Sequence, residues 1–295
     1  MSEFDHLAPE VRNVLELPTA ERIAFCREDR WIGYTRAMEV RNKLEDLVAF
    51  PRSLRMPNLL IVGRNGNGKS AILEHFARSH EVQATESGTP VMPVLLIEMP
   101  DTADASEFWS EILWKMLISH REGDHPRNKK RQVKSILQYA QVRVLVIDEF
   151  NNLVNAGRKA GDLLASIKEL SNALKLAIVA AGTQAAINAL NSDPHMKSRF
   201  SPVALNRWSL NAEYLRFLAS YEKLLPLAKP SGLATRELAP KLYAMGGDAI
   251  GGTVNLLKAA SKRAIETGTE CIAVSLLEKL DWTGPEGWEE MARAV

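Results

Sequence analysis

Cysteine is scarce in this chain of 295 residues: Cys26 and Cys271 are the whole supply. They form no C-x-x-C pair, which excludes the common zinc and dithiol motifs, and each reads as a buried thiol. Long hydrophobic runs are also missing. No apolar stretch approaches the roughly 20 residues needed to span a bilayer, so no membrane partner is expected. The opening Met1-Ser2-Glu3-Phe4-Asp5-His6 does not read as a signal peptide, and a cytoplasmic location follows as the expectation. Charge of one sign is not in excess, since 37 Lys and Arg face 36 Asp and Glu. A nucleic-acid partner would therefore have to meet a local patch rather than the field of the whole chain. Internal repeats and low-complexity tracts are absent as well. What remains is an ordinary core-forming composition, 46% hydrophobic, at a length that allows one large or two modest domains.

Against this plain background one segment stands out, Gly63-Arg64-Asn65-Gly66-Asn67-Gly68-Lys69-Ser70, with the G-x-x-x-x-G-K-[ST] spacing of a phosphate-binding loop. The apolar run Leu59–Val62 leads into it, and Ala71-Ile72-Leu73-Glu74-His75-Phe76 continues as a predicted helix. Strand, loop and helix in that order are what the chemistry needs. Glycines let the backbone wrap closely round phosphate oxygens, and successive N–H groups and a helix N-terminus then face the anion. Gly63, Asn65, Gly66, Asn67, Gly68, Lys69, Ser70 and Ala71 are thus the predicted ATP-binding segment. Lys69 adds a point charge for the β- and γ-phosphates, and Ser70 offers a hydroxyl to Mg²⁺. The alternative, a chance Gly-rich turn, does not explain the flanking strand and helix.

A second motif supports the first. Val142-Arg143-Val144-Leu145-Val146-Ile147 has the look of a buried parallel strand, and it ends in Asp148-Glu149. Functional residues of open α/β sheets sit at the carboxyl ends of strands. Asp148 would hold Mg²⁺ through its water shell, and Glu149 would orient and deprotonate an attacking water. Alone, the acid pair reads as the acidic start of a helix. Beside the upstream loop it reads as a Walker B.

Residues 1–50 are predicted to be helical. One helix is expected to be capped at Thr19 and to run through Ile23, Phe25 and Cys26, and a second to span Ala37 to Phe50 and stop at Pro51. Strands are expected at 59–63, 93–98, 142–147, 176–181 and, weakly, 202–205, with helices at 69–80, 105–120, 128–140 and 160–174 between them. That alternation predicts a parallel, three-layer α/β domain over 51–209. Helices expected at 211–225, 233–245, 251–267 and 273–280 suggest a small helical lid over 210–280. The tail 281–295 carries Trp282 and Trp288 and has no strong period.

The order of these features resembles the AAA+ ATPases, and more narrowly the TniB/TnsC family of transposon-encoded AAA+ regulators. The resemblance rests on Arg30-Trp31-Ile32-Gly33-Tyr34, Arg55-Met56-Pro57-Asn58-Leu59-Leu60, Asp148-Glu149-Phe150-Asn151-Asn152-Leu153, Ala181-Gly182-Thr183, Ser198-Arg199-Phe200 and Leu205-Asn206-Arg207-Trp208. It spans roughly residues 20 to 265. It implies ATP and Mg²⁺ as ligands and an ATPase that assembles with itself into a ring or helical filament on double-stranded DNA. It further implies recruitment of a transposase and a TniQ-type target selector. The family often has His where this chain has Asn151. The sensor-2 arginine usual in AAA+ lids is missing from Gly246–Thr253, which implies either that lid closure is sensed differently or that hydrolysis is slow and assembly-dependent.

The same resemblance assigns further positions. Thr183 takes the sensor-1 role, although threonine there also suits a helix N-cap. Arg199 becomes the arginine finger supplied to a neighbour's ATP, with Arg207 as competitor; a surface ion pair is the plainer reading. Ile32, Gly33 and Tyr34 would line the adenine pocket, or else pack the N-terminal helices. From the residues themselves, Arg127, Lys129, Lys130, Arg131 and Lys134 form the densest basic patch; His120 to Lys134 holds six Lys or Arg against two Asp or Glu. Such a cluster suits DNA phosphates, though a solvated helix face is the commoner fate of a charge run. The family resemblance offers Thr102 and its neighbours after the second strand as another place for DNA contact, with little in the sequence to support it. A non-transposon AAA+ protein of helicase- or initiator-loader type, acting mainly on protein partners, is the alternative function. A non-hydrolysing scaffold is disfavoured by Glu149. The tryptophans of the tail either fold back on the lid or serve as a hook for a partner.

Overall fold

Short runs of Val, Ile, Leu and Ala without internal charge can be buried on both faces, and the runs at 59–62, 94–97, 144–147 and 177–181 become parallel strands. The computed structural model describes residues 4–84, 88, 90–102, 104–191 and 193–284, apart from the side chain of Arg158. In chain order come α1 (Pro9–Arg12), a 3₁₀ turn (Asn13–Glu16), α2 (Thr19–Arg27), α3 (Thr35–Ala49), β1 (Asn58–Gly63), α4 (Lys69–Arg78), and the two-residue strands β2 (Gln83–Ala84) and β3 (Pro90–Val91). Then follow β4 (Val94–Glu98), α5 (Ala105–Lys115), α6 (Pro126–Tyr139), β5 (Val144–Asp148), a 3₁₀ segment (Phe150–Lys159), α7 (Ala160–Leu174), β6 (Ala177–Gly182), α8 (Gln184–Leu190), α9 (Pro194–Lys197) and β7 (Phe200–Leu205). The last helices are α10 (Ala212–Glu222), α11 (Leu238–Gly246), α12 (Ile250–Glu266) and α13 (Val274–Glu278).

Residues 36–206 form an α/β unit. Its five-stranded sheet has the order β4-β5-β6-β1-β7, and every neighbouring pair is parallel. Successive side chains of a strand point to opposite faces. One set, including Leu60, Leu95, Leu145 and Ile178, packs in a single core with Phe108 and Trp109 of α5, Val133 and Leu137 of α6, and Leu163 and Ile167 of α7. On the sequence the 202–205 run is weak, yet β7 extends over Phe200–Leu205, because it pairs with β1 along its whole length, from Asn58 opposite Phe200 to Gly63 opposite Leu205. Asn58 is buried at the start of β1, and its Oδ1 accepts the Ile178 N–H at 2.9 Å, which pins β1 to β6.

The division of the chain falls differently from the expected one. Residues 1–35 belong to one compact unit with 207–295, and only from Arg36 does the chain join the α/β unit. The reason is where apolar faces find cover. Cys26 of α2 packs in a core with Trp208, Tyr214, Phe217, Leu242 and Leu256, and Ile23 and Tyr34 lie against it. Helix α3 instead buries Ala37, Val40, Leu44 and Leu47, and Arg36 donates from Nε and Nη2 to the Ala204 carbonyl at 2.9 and 2.8 Å. Thr19 begins α2 but gives it no side-chain cap; Pro18 is the capping position. In the tail, the Trp282 indole N–H donates to the Met245 carbonyl at 3.0 Å and its ring packs on the helical core. Pro285, Gly287 and Trp288 lie outside the described residues.

Within the helical unit, one of the ion pairs ties α2 to the chain after α12. Arg22 Nη2 and Nη1 donate to Glu270 at 2.5 and 3.0 Å, and Nη2 also donates to the Pro226 carbonyl at 2.7 Å. Glu270 accepts the Ala228 N–H at 3.1 Å. Burial pushes the Glu270 carboxyl up, but the bonds from Arg22 and Ala228 outweigh it and hold the group below its ordinary value. Burial lifts the nearby Cys26 thiol to about 11, so it stays protonated. Arg22→Leu should cost about 2–3 kcal/mol, the worth of hydrogen bonds to a charged group, read from denaturant unfolding. A lowered folded-state value gives stability that is complete above the ordinary value of 4.5 and lost as pH falls through the folded one. The gap between wild type and Arg22→Leu should therefore narrow below about pH 4.5. A gap that stays constant into acid would show that the Glu270 charge is not what Arg22 holds.

Candidate active site

Strand β1 ends at Gly63, and α4 begins six residues later at Lys69. The turn between them needs left-handed backbone at Gly66 (φ 70°) and Gly68 (φ 83°), a region that L side chains enter at a cost. Asn67 between them is buried, and its Nδ2 donates to the carbonyls of Leu205 and Asn206, both at 2.8 Å, tying the loop to the end of β7. Lys69 is 6% exposed. Its ammonium donates to the carbonyls of Gly63 and Arg64 at 3.0 Å each. Burial lowers its pKa, while Glu149 and then Asp148 push the other way. The positive head thus lies in the field of both acids. Ser70 and Ala71 are exposed on the first turn of α4.

Asp148 closes β5 and is 5% exposed; its Oδ1 accepts the Glu149 N–H at 2.8 Å. Glu149 has left-handed backbone (φ 49°, ψ 35°), which turns the chain out of the strand into the 3₁₀ segment. Asn151 Nδ2 donates to Glu149 Oε2 at 3.1 Å, and Asn151 Oδ1 accepts the Thr183 N–H at 3.3 Å. Thr183 is the N-cap of α8, accepting the Ala185 N–H at 3.4 Å through Oγ1. Ser70 and Asp148 line one cavity of about 670 Å³, together with Glu74, Leu96, Glu98 and Glu111. A hydroxyl and a carboxylate are hard oxygen donors of the kind Mg²⁺ takes, and the glycine turn with a buried ammonium suits phosphate. The residues present therefore fit a magnesium nucleotide.

The other expected positions are distributed between the two units. Ile32 and Tyr34 belong to the helical one, where the Tyr34 ring meets Trp208 edge-on at 4.9 Å; Gly33 is exposed. Arg199 precedes β7, and its Nη1 donates to Asn172 Oδ1 at 2.6 Å. It shares a cavity of about 300 Å³ with Arg55, Lys168, His195 and Ser198. The competing Arg207 already faces a carboxylate, Asp248, at 3.3 Å. In the stretch where a lid arginine is missing, Gly246 approaches Thr253 so closely that a Cβ there would lie 2.8 Å from its backbone. Thr253 is fully buried and meets the Tyr214 hydroxyl at 3.1 Å.

The family described as Bacterial TniB protein matches residues 22–210, most of the chain. The chain belongs to the TniB family. Among curated proteins, none matches it. Solved structures carry the fold further. The Aeropyrum pernix ORC1 protein, in complex with DNA, is 17% identical with a TM-score of 0.65, covering 92% of this chain and 69% of its own. The Aeropyrum pernix ORC2 protein, as ADPNP–ADP complexes, is 16% identical with a TM-score of 0.64, covering 86% and 70%. The S. cerevisiae Hsp104–ADP complex is 18% identical with a TM-score of 0.53, covering 85% and 33%. The fold is that of a P-loop AAA+ protein with a helical lid, and family and fold together make the chain an ATP-binding AAA+ ATPase.

The basic patch on α6 needs correction. Lys129 is 2% exposed, and its ammonium donates to Ser106 Oγ, Ser110 Oγ and the Glu122 carbonyl at 2.9, 3.0 and 2.8 Å. It lies on the buried stripe of the helix with Val133 and Leu137, at i, i+4 and i+8. That spacing was present in the sequence and outranks the local charge density. Lys130 pairs with Glu169 at 2.6 Å. Only Arg127, Arg131 and Lys134 of the five stay exposed. Thr102, the other place considered, hydrogen-bonds Glu107. The sequence reading also missed the bridging by Asn151 and the tie made by Asn67, since both depend on strand ends far apart in the chain. Lys129→Ala should lower stability by about 2–4 kcal/mol, from lost packing and three stranded acceptors. Replacing Arg127, Arg131 and Lys134 together with alanine should change it by only about 1 kcal/mol in total. Thermal melts compare the two; equal losses would refute the buried role of Lys129.

Proposed function

We propose that the chain hydrolyses ATP at junctions between its own copies assembled on double-stranded DNA, and that this assembly regulates transposition. The observation that carries the reading is the meeting of Lys69, Ser70, Asp148 and Glu149 at one end of the sheet, in a member of the TniB family. The loop from Gly63 to Ala71 takes the phosphates, with Lys69 between the β- and γ-oxygens. Ser70 and Asp148 would hold Mg²⁺, which would supply charge neutralisation to the phosphate oxygens. Glu149 takes a proton from the water that attacks the γ-phosphorus. Thr183 orients that water or senses the phosphate while capping α8. Ile32, Gly33 and Tyr34 bracket the adenine.

Arg199 supplies charge to the γ-phosphoryl group of a neighbouring copy. A finger acting in trans requires head-to-tail contacts, which close into rings or run on as helical filaments. The lack of an arginine in Gly246–Thr253 makes turnover slow and dependent on assembly. The assembly marks a target in the cytoplasm and recruits a transposase and a TniQ-type selector; hydrolysis takes it apart. Among exposed cations, Arg127, Arg131 and Lys134 are the candidates for phosphate contact.

Two experiments test this. Arg199→Ala and Lys69→Ala should each lack turnover alone. Mixed, they should recover part of it, because a mixed junction joins an intact loop to an intact finger. No recovery at any ratio would place Arg199 outside a neighbour's site. On DNA, the logarithm of affinity should fall with the logarithm of salt by about 0.9 per phosphate contact, with little dependence on sequence. Replacing Arg127, Arg131 and Lys134 with alanine should flatten that slope, and an unchanged slope would move the contact off α6.

A further inference from the structure

The mechanism above leaves Asn151 without a task, yet this side chain spans two strand ends. It leaves the chain two residues after Glu149, just beyond β5, and reaches the first residue after β6. Both halves of its amide are used. Nδ2 donates to Glu149 Oε2 at 3.1 Å, and Oδ1 accepts the Thr183 N–H at 3.3 Å. The neighbouring residue is shaped round it: a Cβ on Gly182 would lie 2.8 Å from Asn151 Oδ1 and 3.1 Å from its backbone nitrogen. An alanine there would displace the amide or the strand end. Asn152, next in sequence, also accepts from Asn151 Nδ2 through its Oδ1, at 3.3 Å, and its own Nδ2 donates to the Met99 carbonyl at 3.0 Å and to Asp101 at 3.1 Å.

The geometry points to Asn151 as a positioning residue: we propose that it fixes the Glu149 carboxylate for the attacking water and couples its placement to the Thr183 turn. The proposal rests on Glu149 being the base. A carboxylate on a left-handed residue at the mouth of a strand has two free side-chain torsions beyond Cβ, and one bonded oxygen removes most of that freedom. With Oε2 held by the amide, Oε1 is left for water. An amide is suited to this task because it gives a donor to the acid and an acceptor to the backbone at once. Aspartate, of the same size, keeps the acceptor for Thr183 but has no donor for Glu149, and it sets a like charge beside it. A misplacement of the order of 1 Å in a reacting group costs on the order of 100-fold in rate.

The test is steady-state ATP hydrolysis by the full chain with DNA, together with nucleotide affinity and melting temperature, for Asn151→Asp, Asn151→Ala and Glu149→Gln. Asn151→Asp and Asn151→Ala should each lower kcat on the order of 10- to 100-fold. KM, nucleotide affinity and melting temperature should stay near wild type. If Asn151 acts through Glu149, adding Asn151→Ala to Glu149→Gln should produce no further loss of the residual rate. Wild-type kcat in both Asn151 variants, with Glu149→Gln inactive, would overturn the proposal and leave the base intact. So would a loss that multiplies with Glu149→Gln, or one that appears only as a raised KM or an early melt. A Glu149→Gln protein that still turns over would instead overturn the underlying reading.

Discussion

The parallel register between β1 and its two neighbours is the constraint on which the site depends. Val62 lies opposite Gly182 on one side, and Gly63 lies opposite Leu205 on the other. On the far side of β6, β5 is aligned so that Ile147 faces Ala180, one residue before Asp148. Parallel strands finish at the same edge, so the phosphate loop, the acid pair, the Thr183 turn and the end of β7 arrive together without any of them being near in sequence. A slip of one residue would turn every inward side chain of a strand to the opposite face. Because β5 and β6 are buried on both faces, that slip is not available to them at tolerable cost. The placing of the charges is thus set by apolar packing, and polar ties such as Asn58 to Ile178 and Asn67 to Leu205 lock what packing has aligned.

Much of this was legible in the sequence, for physical reasons that differ from element to element. Helix α7 runs over Ala160–Leu174, as expected, because its period is strong and its length leaves no rival. Helix α5 stops at Lys115, short of the expected residue 120, where Met116 and Leu117 turn and Leu117 takes a positive φ. The placing of α2 was not legible. Its apolar residues announce that a face is buried but carry no address, and the address turned out to be the core of the helices after residue 207. The α6 patch was misread for the converse reason. Charge density is a local property, whereas the two serine hydroxyls that make burial of Lys129 tolerable stand on α5.

At the site, spacing was informative wherever the backbone does the work. The glycine positions of the loop and the strand that ends in Asp148 need no distant partner to be recognised. Side chains that bridge are a different matter. Asn151 is an unremarked polar residue until β6 is laid beside β5, and only then does the lack of a Cβ at Gly182 acquire meaning. Thr183 shows the two levels coinciding. Its capping bond to Ala185 is a local matter that the sequence foretold, and the same turn offers its N–H to Asn151.

The two buried lysines show why residue type alone does not define a site. An ammonium has three N–H donors, and burying it demands that they be met. Lys129 meets all three, with two hydroxyls and a carbonyl, and so has nothing left to offer a ligand. Lys69 finds two carbonyls of its own loop, and its third donor has no partner among the described residues. Burial lowers its pKa, and the nearby carboxylates of Glu149 and Asp148 offset part of that, so the ammonium lies where it is poorly solvated and close to opposite charge. A cation in that state gains more from an incoming phosphate than a solvated one, because little water has to be stripped from it and the surrounding field is weakly screened. The arginines differ too. Arg22 is held by a bidentate carboxylate and a carbonyl, while the Arg199 side chain donates to Asn172 and has no further partner among the described residues. What distinguishes Lys69 from Lys129 is one N–H donor that folding leaves without a partner among the described residues.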